Sequence, residues 1–176
     1  MSCEYCDIAD GKGKAHVLFQ DDKVIIAIKD NIITPGQITI FSKEHFTILE
    51  MVPNEILSKC SLMANKVSIA VFEGLGAQGT NILIQNGLGA GQSVPHFALE
   101  VVPRQENDAI PLTWEPKPLM EDELESTFSA LKEEAEKIVV GETPTIAAES
   151  TEEEKETMQL DEEKENYLLK SLRRLP

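Results

Sequence analysis

The uneven distribution of charge along the chain limits where a folded core can form. The 176 residues carry 16 basic and 31 acidic side chains, a net charge of −15. Between Glu142 and Glu165 there are ten acidic and two basic residues, so this segment alone contributes −8. Its composition is too acidic and too poor in large apolar residues to fold alone. We therefore interpret residues 141–165 as a solvated linker, and the core must come from the residues before it.

The segment after this linker has the opposite character. Residues 166–176 are basic and apolar, and Tyr167, Leu168, Leu172 and Leu175 lie close to one helical face. Two interpretations remain open, a short helix that docks on the body or on a partner chain, and a frayed tail. The acidic C-terminal region is accordingly a candidate contact for a protein partner.

The charge and hydropathy of the whole chain argue against several classes of partner. A surface this negative repels nucleic-acid backbones and anionic lipid, so we expect neither nucleic acid nor membrane as a partner. Residues 1–7 lack the basic start and apolar stretch of a signal peptide. Three cysteines, an odd number, argue against a disulfide framework. We expect a cytoplasmic protein.

The hydrophobic pattern of the body predicts mixed α and β structure. Short runs typical of strands occur at Val17–Gln20, Val24–Lys29, Gln37–Phe41, Asn81–Gln85 and Val94–Val102. A long helix is predicted to start with Asn54 as its cap, to bury Ile56, Cys60, Met63, Val67 and Ala70, and to end at residues 74–76. A second helix is predicted from the apolar stripe of Leu124, Phe128, Leu131, Ala135 and Ile138.

One strand and the loop before it form a recognisable motif. Residues 91–104, Gly-Gln-Ser-Val-Pro-His-Phe-Ala-Leu-Glu-Val-Val-Pro-Arg, resemble the signature of the histidine triad (HIT) family, a Gly-Gln-x-Val stretch followed by three histidines at alternate positions. Upstream landmarks arrive in the family's order: Asp21-Asp22, Asp30, Thr34-Pro35-Gly36 and Ser42-Lys43-Glu44-His45. The resemblance covers roughly residues 3–104.

The resemblance implies a fold and a division into domains. The fold would be α+β and HIT-like, an antiparallel sheet with one long helix, in a domain of residues 1–104. Residues 105–140 would form a C-terminal extension with its own helix. Its Trp114-Glu115-Pro116 segment is similar to archaeal-type members of the family. HIT domains commonly pair as two-fold dimers that extend a shared sheet, so the resemblance also implies a homodimer.

The triad itself departs from the family pattern. HIT enzymes hydrolyse or transfer nucleoside monophosphates, and their middle histidine attacks the α-phosphate. The first position here is His96, but the middle position is Ala98 and the third is Glu100. A methyl group has no lone pair with which to attack phosphorus. A carboxylate at the third position adds negative charge where the family binds phosphate.

The residues that would bind a nucleotide are only partly kept. The family's asparagine before the glycine-rich loop aligns with Gln85, and the histidine after the Pro-Gly turn aligns with Gln37. Asp30, Gln92 and Ser93 remain as candidate ribose and phosphate contacts. A nucleoside monophosphate is therefore a candidate ligand.

Four further residues match a metal site of the family. The Cys3-x-x-Cys6 pair alone is open to redox, metal-binding or purely structural interpretations. The resemblance implies structural zinc on this pair, with His45 and His96 as the other ligands. A Cys₂His₂ set suits tetrahedral Zn²⁺ with no open position. Cys60 is expected to pack in the core instead.

These observations support three hypotheses about function. The first is a catalytically degenerate HIT protein, a pseudoenzyme with a nucleotide-binding or protein-interaction role and no expected catalytic residue. The second is an active purine nucleotide phosphoramidase or hydrolase in which Glu100 or His16 replaces the nucleophile. The third discards the family and treats the chain as a small zinc-stabilised interaction domain.

Overall fold

The computed structural model describes residues 3–112 and 115–135. The chain divides into two compact units, Met1–Ile110 and Pro111–Pro176. The first unit contains the helices α1 (Glu4–Ala9) and α2 (Asn54–Leu75), the strands β1 (Ala15–Gln20), β2 (Val24–Lys29), β3 (Ile38–Ser42), β4 (Gly79–Leu83) and β5 (Ala98–Arg104), and two single 3₁₀ turns at Leu49–Met51 and Leu88–Ala90. The second contains the helix α3 (Glu121–Ala135).

The five strands form one antiparallel sheet in the order β1-β2-β3-β5-β4. This confirms the α+β class. Strand β5 begins four residues later than predicted, because the backbone before it is committed to other contacts. The His96 amide donates to the Val94 carbonyl, and the Phe97 amide donates to the Phe46 carbonyl. His96 therefore lies in a turn at the entrance to β5.

The central strands are buried on both faces, since successive side chains point to opposite sides of a strand. Val24, Ile26 and Ile40 pack against α2 in the larger core cluster. Ile25, Ala27, Phe41 and Ala98 point the other way and pack with residues of α1 in a second cluster. The second face also carries the residues of the candidate functional site.

Helix α2 covers the first face with a stripe of buried residues, Ile56, Cys60, Ala64, Val67 and Val71. Of the predicted core positions, Met63 is partly buried against this cluster, whereas Ala70 is exposed. Ala64 and Val71 are buried instead, because steps of four and three residues from Cys60 return to the same helical face at 64, 67 and 71. The predicted cap was wrong. Pro53 takes the cap position, with φ −56° and ψ 141°, without a side-chain cap hydrogen bond, and Asn54 is the first helical residue. Gly76 ends the helix in the left-handed conformation, φ +65°, as its position in the sequence predicts.

Helix α3 confirms the second predicted helix as far as Ala135. Three residues of its apolar stripe, Leu124, Phe128 and Leu131, are exposed. Ile138, the acidic linker at 141–165 and the segment 166–176 lie outside the described residues. Among the helices of residues 3–112 and 115–135, none is long and apolar enough to cross a membrane.

The turn between β1 and β2 is fastened by one carboxylate. Asp21 Oδ1 accepts hydrogen bonds from the backbone amides of Lys23 and Val24 at 2.8 and 2.9 Å. Its Oδ2 lies 2.6 Å from Lys59 Nζ on α2. Burial favours the neutral acid, but the Lys59 ammonium and the two amides outweigh it and lower the pKa of Asp21 to about 2.

We expect Asp21→Ala to lower the free energy of unfolding by about 2 kcal/mol at pH 7. The pKa of Asp21 is lower in the folded state than in the unfolded chain, so this contribution is present above pH 4 and is lost as the pH falls towards 2. Urea unfolding of both proteins at pH 7, 4 and 3 measures it. Asp22→Ala is the matched control. Asp22 is 75% exposed, so this substitution should change the free energy of unfolding little. Equal losses at both positions would contradict this account.

Candidate functional site

Helix α1 brings two thiols to two imidazoles from distant parts of the chain. Cys3 takes the cap position of α1 and Cys6 lies in its first turn. The Cys3 and Cys6 sulfurs lie 3.4 and 3.6 Å from His96 Nδ1. Cys6 Sγ also lies 3.3 Å from His45 Nδ1. The ligand atoms of all four residues are within 4.8 Å of one another, so the group could hold a metal ion.

The orientation of the His96 ring is set by a hydrogen bond from the nitrogen that faces away from the cysteines. Its ring is 2% exposed, and Nε2 lies 2.8 Å from the Ser42 carbonyl. A carbonyl can only accept, so Nε2 carries the proton and Nδ1 presents a lone pair to the two sulfurs. Burial lowers the pKa of His96 and so favours the neutral ring. A metal-binding histidine needs this arrangement, one nitrogen free and the other donating to a fixed acceptor.

The donor set fits Zn²⁺. With Zn–S of about 2.3 Å and Zn–N of about 2.0 Å, the edges of a tetrahedron measure roughly 3.3–3.8 Å, and the sulfur–nitrogen distances above fall in this range. Two thiols and two imidazoles complete a tetrahedral shell, as in structural sites. Without a metal, burial and the neighbouring Cys3 raise the pKa of Cys6 to about 11. Metal binding must therefore displace a proton from this thiol.

Ala98 and Glu100, which align with the second and third triad positions, lie on the same face of the sheet as the four residues that could hold a metal ion. Ala98 pairs with Phe41 and belongs to the second core cluster. Two residues further along β5, Glu100 pairs with Thr39 on one side and with Leu83 on the other. Ala98 and Glu100 therefore point to the face that carries α1, and His96 lies in the turn just before the strand.

Four side chains converge on the Glu100 carboxylate, which is mostly buried. Oε2 accepts hydrogen bonds from Gln37 Nε2 and from Thr39 Oγ1, each at 2.8 Å. Oε1 lies 3.3 Å from Lys29 Nζ and 3.4 Å from the Tyr5 hydroxyl. Both oxygens are therefore engaged by donors.

Lys29 balances the charge of this carboxylate. The side chains of Lys29 and Glu100 are 12% and 14% exposed, so the ion pair is largely removed from water. Lys29 Nζ also donates to the Tyr5 hydroxyl at 2.8 Å and lies 4.8 Å from the centre of that ring. Burial alone would lower the pKa of Lys29, but Glu100 and the Tyr5 hydroxyl outweigh it and raise this pKa above its ordinary value. Lys29 is therefore charged.

The glycine-rich loop is held by Gln92, one of the predicted nucleotide contacts. Its Oε1 accepts from the Gly87 amide at 2.8 Å, and its Nε2 donates to the Thr47 and Val94 carbonyls at 2.7 and 3.0 Å. The loop leaves this region through Gly91, whose φ is +83°. A Cβ there would meet only the end of the exposed Gln85 side chain, which can move aside, so it is the positive φ that favours glycine.

The other predicted contacts are at the surface. Gln85, Ser93 and Asp30 are exposed. Asp30 follows the last residue of β2, and its neighbour Lys29 is the one that reaches Glu100. The exposed His16 pairs with Ile28, which packs on the α2 side of the sheet, opposite to Glu100.

Sequence reasoning missed three of the residues around Glu100, namely Tyr5, Lys29 and Thr39. The period-two pattern of β2 contains a signal for Lys29, since it places this residue on the same face as Ala27 and Ile25. The role of Tyr5 cannot be predicted from the sequence, because it depends on where α1 packs against the sheet. Thr39 becomes visible only when the register between β3 and β5 is known.

Residues 10–107, more than half of the chain, match the HIT domain family. The fold, a five-stranded antiparallel sheet with a long helix, is the one that solved HIT structures share. The chain therefore belongs to the HIT family.

Three similar proteins are informative. An adenylylsulfatase, HINT3, of Arabidopsis thaliana is 28% identical over 108 residues, which cover 61% of this chain and 55% of that protein. A HIT family protein of Bacillus anthracis is 26% identical with a TM-score of 0.66, over 76% of this chain and 96% of that one. A zinc-bound histidine triad protein of Mycobacterium smegmatis is 29% identical with a TM-score of 0.59, over 76% and 98%. The chain thus spans about half the length of the plant relative.

Proposed function

We propose that this protein is a catalytically degenerate HIT domain, stabilised by zinc, that acts by binding a nucleoside monophosphate or a protein partner. The observation that carries the proposal is the environment of the two altered triad positions. A methyl group stands at Ala98, and the Glu100 carboxylate is tied to four donors.

The same contacts argue against a replacement nucleophile. A carboxylate attacks through an oxygen lone pair, and hydrogen bonds to both oxygens of Glu100 stabilise its ground state. His16 lies on the other face of the sheet. The alternative, an active phosphoramidase or hydrolase with a non-standard nucleophile, is kept as an outcome of the assay below.

The ligand proposal follows the relatives. The plant relative is named for an adenylyl substrate, so AMP is the first ligand to test. The fixed conformation that Gln92 gives the glycine-rich loop supports this choice, because the loop matches the segment before the triad in the family pattern. The carboxylate of Glu100 opposes it and should make the affinity low.

We propose zinc at Cys3, Cys6, His45 and His96. The geometry of the four donors supports it, and a zinc-bound relative of similar fold makes this metal the first choice. The ion would join α1 to the segments that precede α2 and β5, so it would stabilise the fold without taking part in any reaction.

A homodimer is proposed through the β4 edge of the sheet. Ile82 and Ile84 are 48% and 38% exposed. Ile82 lies on the same face of β4 as Thr80, whose hydroxyl donates to Ser68 on α2, and Ile84 follows the end of the strand, so the exposed isoleucines adjoin the helix. An edge strand with apolar side chains is a template for pairing with a second copy.

Metal analysis of the purified protein should find one zinc ion per chain. Cys3→Ser should lower the bound zinc at least about tenfold and lower Tm, because serine is a poor ligand for zinc. Cys60→Ala is the control, since Cys60 is buried in the α2 core and its loss should leave the zinc content unchanged. Native protein without metal after dialysis against zinc would contradict the assignment.

Calorimetric titration should give weak binding of AMP, in the millimolar range, and assays with adenosine 5′-phosphoramidate should give no turnover above buffer. The double change Ala98→His, Glu100→His restores a nucleophile and should yield measurable hydrolysis. Turnover by the native protein that Glu100→Gln abolishes would establish the alternative, an active enzyme. Absence of AMP binding would exclude the nucleotide-binding role and leave binding of a protein partner as the proposed function.

Ile82→Glu should convert a dimer into a monomer, because it places a charge on the apolar edge. Sedimentation or light scattering measures this. Ile33→Glu is the matched control, since Ile33 is 55% exposed in the β2–β3 connection. Identical masses for both variants would exclude the β4 edge as the interface.

A further inference from the structure

The Glu100 carboxylate has four donors around it, whereas a structural ion pair needs only one. We call them the donor cluster: Tyr5, Lys29, Gln37 and Thr39. They come from α1, β2 and β3 and from the residue before β3, and all of them point to one carboxylate. Two donors address each oxygen, which is how a protein binds a carboxylate ligand rather than a point charge.

The donor cluster is held in place by contacts that do not involve Glu100. Gln37 Oε1 accepts from the Ile33 amide at 2.7 Å, which fixes the amide so that Nε2 faces the site. The Tyr5 ring stacks on Phe41, with centroids 4.8 Å apart. Thr39 is 1% exposed within the paired strand β3. Tyr5, Gln37 and Thr39 would therefore keep their positions if the glutamate were shortened, and Lys29 would keep its hydrogen bond to the Tyr5 hydroxyl.

We infer that the donor cluster is a carboxylate-binding site and that Glu100 is its built-in occupant. The inference rests on the proposed function in one respect: Glu100 is taken as a ligand of its own chain rather than as a nucleophile. An external anion on this face must displace Glu100 or bind elsewhere. The site therefore selects against free anionic ligands as long as Glu100 is present.

The test supplies the occupant from solution. Glu100→Ala removes a methylene and a carboxylate, and acetate carries the missing carboxylate on one carbon. We expect about 100 mM acetate to raise Tm of Glu100→Ala by at least about 3 °C over sodium chloride at equal ionic strength, and to leave the native protein unchanged. No difference between acetate and chloride would overturn the inference. So would a response to inorganic phosphate without one to acetate.

Three control variants separate this result from general salt effects. Lys29→Met, Glu100→Ala should lose the acetate response, because the charged donor is gone. Glu100→Gln should not respond, since its amide fills the space. Glu55→Ala removes an exposed carboxylate that pairs with Lys23, and it should not respond either. An acetate response in any of the three would contradict the assignment.

A second measurement keeps the inference testable if Glu100→Ala does not fold. In Glu100→Gln, Lys29 keeps its buried position but loses its counter-charge, so the NMR-measured pKa of its ammonium should fall below the native value. An unchanged pKa would overturn the pairing. The acetate and pKa experiments do not measure catalysis. Nucleotide turnover by the native protein would refute the proposed function whatever their results, so the two failures are distinguishable.

Discussion

The hydrogen bond from His96 Nε2 to the Ser42 carbonyl is the contact on which the site depends. It joins the end of β3 to the turn before β5, and it fixes the tautomer that presents Nδ1 to the two cysteines. Since α1 has six residues and a short helix is marginal on its own, its place against the sheet depends on what its cysteines and Tyr5 contact. One imidazole thereby connects three separate segments of the chain.

Tyr5 links the metal-binding group to the altered triad. It lies between the two cysteines, its ring packs edge-on against His96 at 5.5 Å, and its hydroxyl reaches the Lys29–Glu100 pair. A shift of α1 would therefore move a donor of Glu100. The two halves of the site, one for a metal and one centred on a carboxylate, share a single structural support.

Much of the fold could be predicted from the sequence, because it follows from local pattern. The five strands and both long helices follow from hydrophobic periodicity, and the order of landmarks from Cys3 to Arg104 gave the family. The errors have local causes. Asn54 is a favourable cap residue, but Pro53 occupies the cap position. The start of β5 was misplaced because hydropathy does not reveal that the residues before it donate to a turn and to Phe46.

The candidate site, like the fold, could be predicted from the sequence only in part. The four candidate metal ligands can be predicted from the sequence through the resemblance to the family, and the structure brings their donor atoms together. The partners of Glu100 were not found, because they depend on strand register and on the position of α1, which are tertiary facts. From the sequence alone, a glutamate in place of a histidine indicates only a lost function at that position. The neighbours that balance its charge are known only from the structure.

The buried ion pair between Lys29 and Glu100 limits the substitutions that either position can accept. Breaking a buried pair by changing one partner costs about 3–5 kcal/mol, because the remaining charge is left without compensation. Replacing Glu100 alone with a neutral residue would leave the Lys29 ammonium without its counter-charge, and replacing Lys29 alone would leave the Glu100 carboxylate without its own. The two positions are therefore coupled, and position 100 cannot take a histidine at low cost unless position 29 changes with it.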